Sequence, residues 1–235
     1  MILSMETVEE GSEFVFQNCF YLVELTGKKA GNLKEFFQEI QEVEGASIFY
    51  HFYHSMLDFS VVQPDYYNDF SYWLENTLHE GELAEKIADP FVWEYNDIED
   101  IRGYLISLID DHLTRHKGEF TPPRPEIHEF HFRKAVAVVL PTKYRAKNLE
   151  EFLDCLKQVD VDIIFYHFIE SRLRLGQEKG RYRDDFSLWI ADSIGDKGLA
   201  NAIANLDPIG FTMEGLKAKL VELVEKAVKE KEGGG

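Results

Sequence analysis

Apolar and polar positions along this chain follow two rhythms, and both rhythms recur in the same order in each half. Phe14, Phe16, Phe20 and Leu22 fall on alternate positions, and so do Phe130, Phe132, Val136, Val138 and Leu140. A period of two belongs to a strand with one buried face. The run Ala135-Val136-Ala137-Val138-Val139-Leu140 is β-branched and fits a pleated surface, so the later stretch predicts a strand. The earlier one, Phe14 to Leu25, is compatible with a strand or a buried helix. The rhythm then becomes helical. Leu33, Phe36, Phe37 and Ile40 form one stripe, as do Leu149, Phe152, Leu153 and Leu156. Asn32 with Glu35, and Asn148 with Glu151, stand at capping-box spacing just before these stripes. Further helices are predicted over about 47–59 and 163–175, and from Asp69 and Asp185, where Asp-Phe-Ser-x-Trp recurs. Short amphipathic segments carry Leu83-Ala84 with Ile87-Ala88, and Leu199-Ala200 with Ile203-Ala204, and turns at Asp89-Pro90 and Asp207-Pro208 end them. The last helices are expected over 97–114 and 212–230. Thr26–Gly31 and Thr142–Lys147 read as basic turns.

The halves align at a constant offset, without a gap, from Phe14 on Phe130 to Ala88 on Ala204. Roughly a third of those positions are identical, where chance gives about one in fifteen. Ile48-Phe49-Tyr50-His51-Phe52 returns whole as Ile164-Phe165-Tyr166-His167-Phe168. The expectation is a mainly α protein, a tandem duplication of a helical module of ~100 residues, the size of a compact domain. A short strand opens each copy, and the copies pack with pseudo-twofold symmetry, by analogy with an isologous homodimer. The expected boundaries are a disordered or extended N-terminus over 1–13, copy one over 14–116, a proline-rich linker over 117–129, copy two over 130–231 and a disordered tail over 232–235.

Composition narrows the function classes. A net charge of −18 opposes the clustered phosphate contacts of a nucleic-acid binder and attraction to an anionic membrane. A solvated acidic surface that maintains solubility explains it. The expected partners are therefore another protein or a second copy of the chain, with no nucleic acid and no membrane. Cys19 and Cys155 occupy unrelated positions in the two copies, which reads as two free, buried thiols in a reducing compartment. The first residues lack a basic and then apolar leader, and no apolar run reaches the ~18 residues of a membrane span. The expected location is cytoplasmic.

Polar residues kept in both copies are the candidates for chemistry: Tyr50, His51, Ser55, Tyr66 and Asp69, with Tyr166, His167, Ser171, Tyr182 and Asp185. Asp69 and Asp185 fit N-cap or first-turn positions, where a carboxylate meets the helix dipole. On a helix His51 shares a face with Ser55, so a core histidine bonded to that hydroxyl or to a carbonyl is the bland reading. The functional reading is a titratable group in a cleft beside Tyr50, Tyr66 and Asp69. A divalent metal held by His51, His54, His167 and Glu170 is a third reading, because His51-x-x-His54 and His167-x-x-Glu170 have ligand spacing. No cofactor is otherwise expected. No nucleophile elbow, phosphate loop, metalloprotease helix or dinucleotide fingerprint is present.

The run Leu25-Thr26-Gly27-Lys28-Lys29-Ala30-x-Asn32-Leu33-x-Glu35-Phe36, followed by Ser47-Ile48-Phe49-Tyr50-His51, Asn68-Asp69-Phe70-x-x-Trp73 and Leu83-Ala84-Glu85, resembles a family of uncharacterised prokaryotic domains, once per copy. The second copy departs from the pattern at Lys143-Tyr144 and Asp184. The resemblance implies no established activity and no catalytic set, only an association with carbohydrate-handling proteins. The function expected is a non-catalytic protein-binding or assembly module. The alternative is an enzyme or metal-binding protein working through His51 and His167 with Asp69 and Asp185.

Overall fold

Both alternating stretches are strands, and long ones. The computed structural model describes residues 13–58, 66, 68–88, 95, 97–116, 128–175, 182–208 and 211–233. Within it β1 spans Phe14–Ala30 and β2 spans Phe130–Ala146, 17 residues each. The short strands expected at each opening are thus more than twice that of an average strand. The strands form a two-stranded sheet. Thr26 Oγ1 donates to the Phe132 carbonyl at 2.7 Å and Thr142 Oγ1 to the Phe16 carbonyl at 2.6 Å, so the end of each strand meets the start of the other and the pair is antiparallel. The stretches read as basic turns are the strand ends. Gly27, at φ 78°, supplies a left-handed kink there that a side chain would strain. Pro141 is tolerated in β2 because an edge strand leaves some N–H groups unused.

The helices follow the expected order. In the first half these are α1 (Leu33–Glu42), α2 (Gly45–Phe49), α3 (Ser55–Asp58), α4 (Asp69–Trp73), α5 (Gly81–Ile87) and α6 (Ile98–Arg115). In the second they are α7 (Leu149–Gln158), α8 (Val161–Ile164), α9 (Ser171–Leu175), α10 (Asp185–Trp189), α11 (Lys197–Ala204) and α12 (Met213–Gly233). The chain is mainly helical. Asn32 and Asn148 cap α1 and α7 by accepting from the Glu35 and Glu151 amides. The returning carboxylates accept from Gly31 and Lys147, one residue before the cap rather than from the cap itself. α12 runs to Gly233, into the stretch assigned to a disordered tail. Residues 1–12, the turn at Asp89-Pro90, the linker prolines Pro122, Pro123 and Pro125, and Gly234-Gly235 lie outside the described residues.

The chain divides into two compact units that cut through both strands. One is Phe20–Val138; the other joins the segment ending at Cys19 to Val139–Gly235. In the unit Phe20–Val138, the helices of the first half receive the start of β2. Phe132 stacks on Phe36 with ring centroids 5.7 Å apart, Phe130 meets Trp73 edge-on at 5.5 Å, and the Trp73 indole N–H donates to the His128 carbonyl at 2.9 Å. α6 closes this core against α1 and α2 with Ile101, Leu105 and Ile109. In the other unit, the helices of the second half receive the start of β1. Phe16 packs 5.3 Å from Phe152 and Phe14 meets Trp189 edge-on at 5.5 Å. α12 covers α7 and α8 there. Each aromatic core is therefore completed by a strand that opens the other half of the sequence. Fully burying one such phenylalanine stabilises by about 1.5–3 kcal/mol.

Candidate functional site

The signature motifs place one histidine in each unit at a widened helical turn. Between α2 and α3 the backbone is π-helical over Tyr50–His54, and between α8 and α9 over Phe165–Glu170. Such turns shift a side chain out of the regular α-helical register. His51 and His167 are both buried.

In the unit Phe20–Val138, His51 Nδ1 lies 2.8 Å from Asp69 Oδ2, and His51 Nε2 accepts the backbone N–H of Arg133, at 2.8 Å, from β2. A backbone amide can only donate, so Nε2 carries the lone pair and Nδ1 the proton. The ring is the neutral tautomer, donating to Asp69. Burial holds its pKa below the ordinary histidine value, against the pull of Asp69, and the charge of Arg133 acts in the same direction as burial. Phe130 and Phe70 flank the ring at 4.6 and 5.3 Å. The other unit repeats the arrangement. His167 Nδ1 lies 2.8 Å from Asp185 Oδ2, and Nε2 accepts the N–H of Gln17, at 2.8 Å, from β1. Phe14 and Phe186 flank that ring at 5.0 and 5.5 Å.

Asp69 and Asp185 open α4 and α10 as first-turn residues. The caps are the residues before them: Asn68 and Asp184 accept the Ser71 and Ser187 amides, each at 2.8 Å. The expected bond from the imidazole to a neighbouring hydroxyl is not what forms. Ser171 Oγ donates instead to the His167 carbonyl and stands 3.4 Å from the Asp185 amide. The side chain of Ser55 lies outside the described residues. Tyr50 and Tyr166 each set a ring edge-on to the adjacent histidine at 5.0 Å. Tyr66 and Tyr182 are half-buried at the approach to α4 and α10.

This geometry fixes what the imidazoles can do. Both ring nitrogens are bonded, so neither can take up a proton or ligate a metal without releasing a strand amide. The four proposed metal ligands are divided between the units, two in each. His54 stacks on Tyr50 at 4.9 Å and meets Tyr21 edge-on at 5.2 Å. Among the described residues, no group of three or more His, Cys, Asp or Glu is placed to hold a metal ion. The basic end of β1 is also occupied: Lys28 pairs with Glu39 and Glu42 at 2.9 and 2.7 Å, and Lys29 with Glu129 at 2.8 Å.

Two features escaped the sequence reading. Arg172 and Asp184 form a buried pair 3.8 Å apart, with Ser187 Oγ donating to Asp184 at 2.7 Å and the guanidinium 4.2 Å over the Phe168 ring. Burial pushes the Asp184 carboxyl up and the Arg172 guanidinium down. The signal was present as a double change between the halves, Met56 to Arg172 and Asn68 to Asp184. The second feature is the middle of the β1–β2 ribbon. Phe20, Leu22, Val23 and Leu25 on β1 are exposed, and so are Val136, Val138, Val139 and Leu140 on β2.

Taken together, fold and site define a mainly helical protein in which a buried histidine–aspartate pair fastens each of two strands. The chain belongs to the family of unknown function DUF5752, which matches residues 11–225 in a single span across both halves. Its structure is similar to that of OrfY from Thermoproteus tenax, at 27% sequence identity and a TM-score of 0.76, covering 94% of this chain and 97% of that one. A comparison with curated proteins gives no match. No helix among the described residues is long and apolar enough to cross a membrane.

Proposed function

We propose that this chain is a non-catalytic protein-binding or assembly module whose contact surface is the apolar middle of the β ribbon. The observation that carries this reading is the exposure of Leu25 (76%), Leu22 (59%) and Phe20 (50%) in one short run of β1. Single apolar residues are normal on a surface, but exposed apolar side chains concentrated in one run of a strand mark an interaction site. What counts against the alternative, an enzyme or metal protein working through His51, His167, Asp69 and Asp185, is that both ring nitrogens of each histidine are already bonded. The test is a photoreactive amino acid placed at Leu25 in cells, with Lys226 on α12 as the control position. Discrete protein adducts from position 25 and none from 226 are expected. Equal labelling at both positions, or none at 25, would remove the ribbon as a contact surface.

A further inference from the structure

We infer that His51 is a proton-operated latch on the start of β2: one proton at Nε2 detaches the Arg133 amide and uncouples the strand from the helices of its unit. The inference is independent of the ribbon as a contact surface.

The latch follows from what one nitrogen can hold. Nε2 of the neutral ring has a single lone pair, and the Arg133 N–H occupies it at 2.8 Å. A proton from solvent that bonds to Nε2 takes that lone pair and leaves two N–H groups facing each other. The bond to Arg133 and the proton at Nε2 are therefore mutually exclusive. The other side of the ring behaves in the opposite way. Nδ1 donates to Asp69 Oδ2 at 2.8 Å in the neutral ring and goes on donating in the charged one. Protonation thus keeps the helix contact and breaks the strand contact.

The titratable and charged residues that face the ring are Asp69 on α4, Arg133 on β2 and Tyr50 on the ring's own turn, with His54 stacked on Tyr50 at 4.9 Å. Asp69 favours the charged ring, while burial and Arg133 oppose it. The strand keeps other anchors when the ring lets go. Thr26 Oγ1 donates to the Phe132 carbonyl at 2.7 Å, and Phe132 stacks on Phe36. Opening is therefore local: the imidazole turns away from the strand and the aromatic core remains packed.

The sign of the pH dependence follows. Closed, the ring resists the proton; turned out, it titrates near the ordinary 6.5. Opening is linked to uptake of one proton from pH 6.5 down to the lowered value of the closed site, and is independent of pH above 6.5.

The experiment is native-state amide exchange of the full chain from about pH 7.5 to about pH 5, expressed as protection so that intrinsic exchange chemistry is divided out, with and without a low concentration of urea. Protection of the Arg133 amide is expected to be constant above pH 6.5 and to fall by up to about tenfold per pH unit below it. Low urea should leave it unchanged, because a turning ring exposes little surface. The Ile109 amide, in the buried face of α6, is expected to be better protected and to lose protection in urea, since it opens with the whole unit. His51→Gln keeps an acceptor and does not titrate, so Arg133 protection should become independent of pH. If that variant fails to fold, imidazole nitrogen shifts of the wild type serve, with Nε2 gaining its proton at the midpoint of Arg133 exposure. Arg133 protection that is flat in pH, that follows Ile109 in urea, or that keeps its pH dependence in folded His51→Gln overturns the inference. So do imidazole shifts that change with no change at Arg133.

Discussion

Where the first half of the chain has Met56 and Asn68, the second has Arg172 and Asp184, while the histidine–aspartate pair beside them is the same in both. Asn68 and Asp184 perform the same capping bond, to Ser71 and Ser187, so that part of the exchange is neutral for the helix. The ionic part is not required by the fold, since the first half has the same elements without it. Desolvation dominates both pKa shifts of the pair, which is the mark of charges held in the interior at a cost. The contrast separates what this architecture demands, a neutral imidazole pinned between a carboxylate and a strand amide, from what one half merely accommodates.

The sharpest way to break this comparison is to convert the second half into the first. Arg172→Met alone leaves Asp184 buried without its counter-charge, and removing one partner of a buried pair costs about 3–5 kcal/mol. Adding Asp184→Asn restores the chemistry of Met56 and Asn68 and keeps the cap. The double variant is expected to recover to wild-type stability or exceed it by about 1–4 kcal/mol, because apolar replacements of buried ion pairs often do so. Urea unfolding measures both. A double variant as unstable as Arg172→Met would mean that the second half depends on its ion pair.

Next in size are the clamps. His51→Ala removes the acceptor of the Arg133 amide and the partner of Asp69, and His167→Ala does the same to Gln17 and Asp185. Two lost bonds and an orphaned strand amide predict a loss of about 2–4 kcal/mol in each case. His51→Gln, which can still accept from Arg133, is expected to lose less than the alanine. Equal losses for the two alanine variants support equivalent clamps, whereas a large effect at one position only would show that a single strand needs fastening.

The same geometry sets a pH dependence. The native state holds His51 neutral, with its pKa below the ordinary 6.5, so the unfolded chain takes up the proton first. Stability from this site is complete above pH 6.5 and is lost as pH falls from there toward the lowered folded value. The slope is at most about 1.4 kcal/mol per pH unit for one site. Asp69 and Arg133 are the charged residues that bear on the ring, and neither reverses the sign. Unfolding curves between pH 7 and 5 are expected to flatten in His51→Gln, and an unchanged slope would remove His51 as the source.

Much of this was legible in the sequence because it is local. The caps at Asn32 and Asn148 and the helical stripes follow from spacing within one turn or a few. The strand exchange was not legible. Phe130 and Phe132 have the same alternation whichever helices they pack on, and the partners of His51 Nε2 and His167 Nε2 are backbone amides, which every non-proline residue possesses. The first-half opening was ambiguous because Phe14–Leu25 is poor in β-branched residues; in the structure its strand character is fixed by pairing with β2. The Arg172–Asp184 pair left a trace only in the comparison of the two halves, where each change taken singly looks like surface variation.

The smallest expected effect tests the halves at their helix ends. After the π-helical stretch Leu74–Leu78 the chain turns at His79, φ 62°, and after Ile190–Ile194 it turns at Gly195, φ 74°. Both turns need the left-handed conformation, which costs a side-chain-bearing residue about 1–2 kcal/mol and glycine almost nothing. His79 is exposed, and a Cβ built on Gly195 would meet nothing within 4 Å, so backbone strain is the main folded-state term that differs. His79→Gly is therefore expected to stabilise by about 1 kcal/mol, less the entropy that glycine adds to the unfolded chain. Gly195→His should destabilise by a similar amount, and the two together should nearly cancel. Thermal unfolding of the three variants reads this directly. A destabilised His79→Gly would show that the imidazole makes a contact there worth more than the strain it bears.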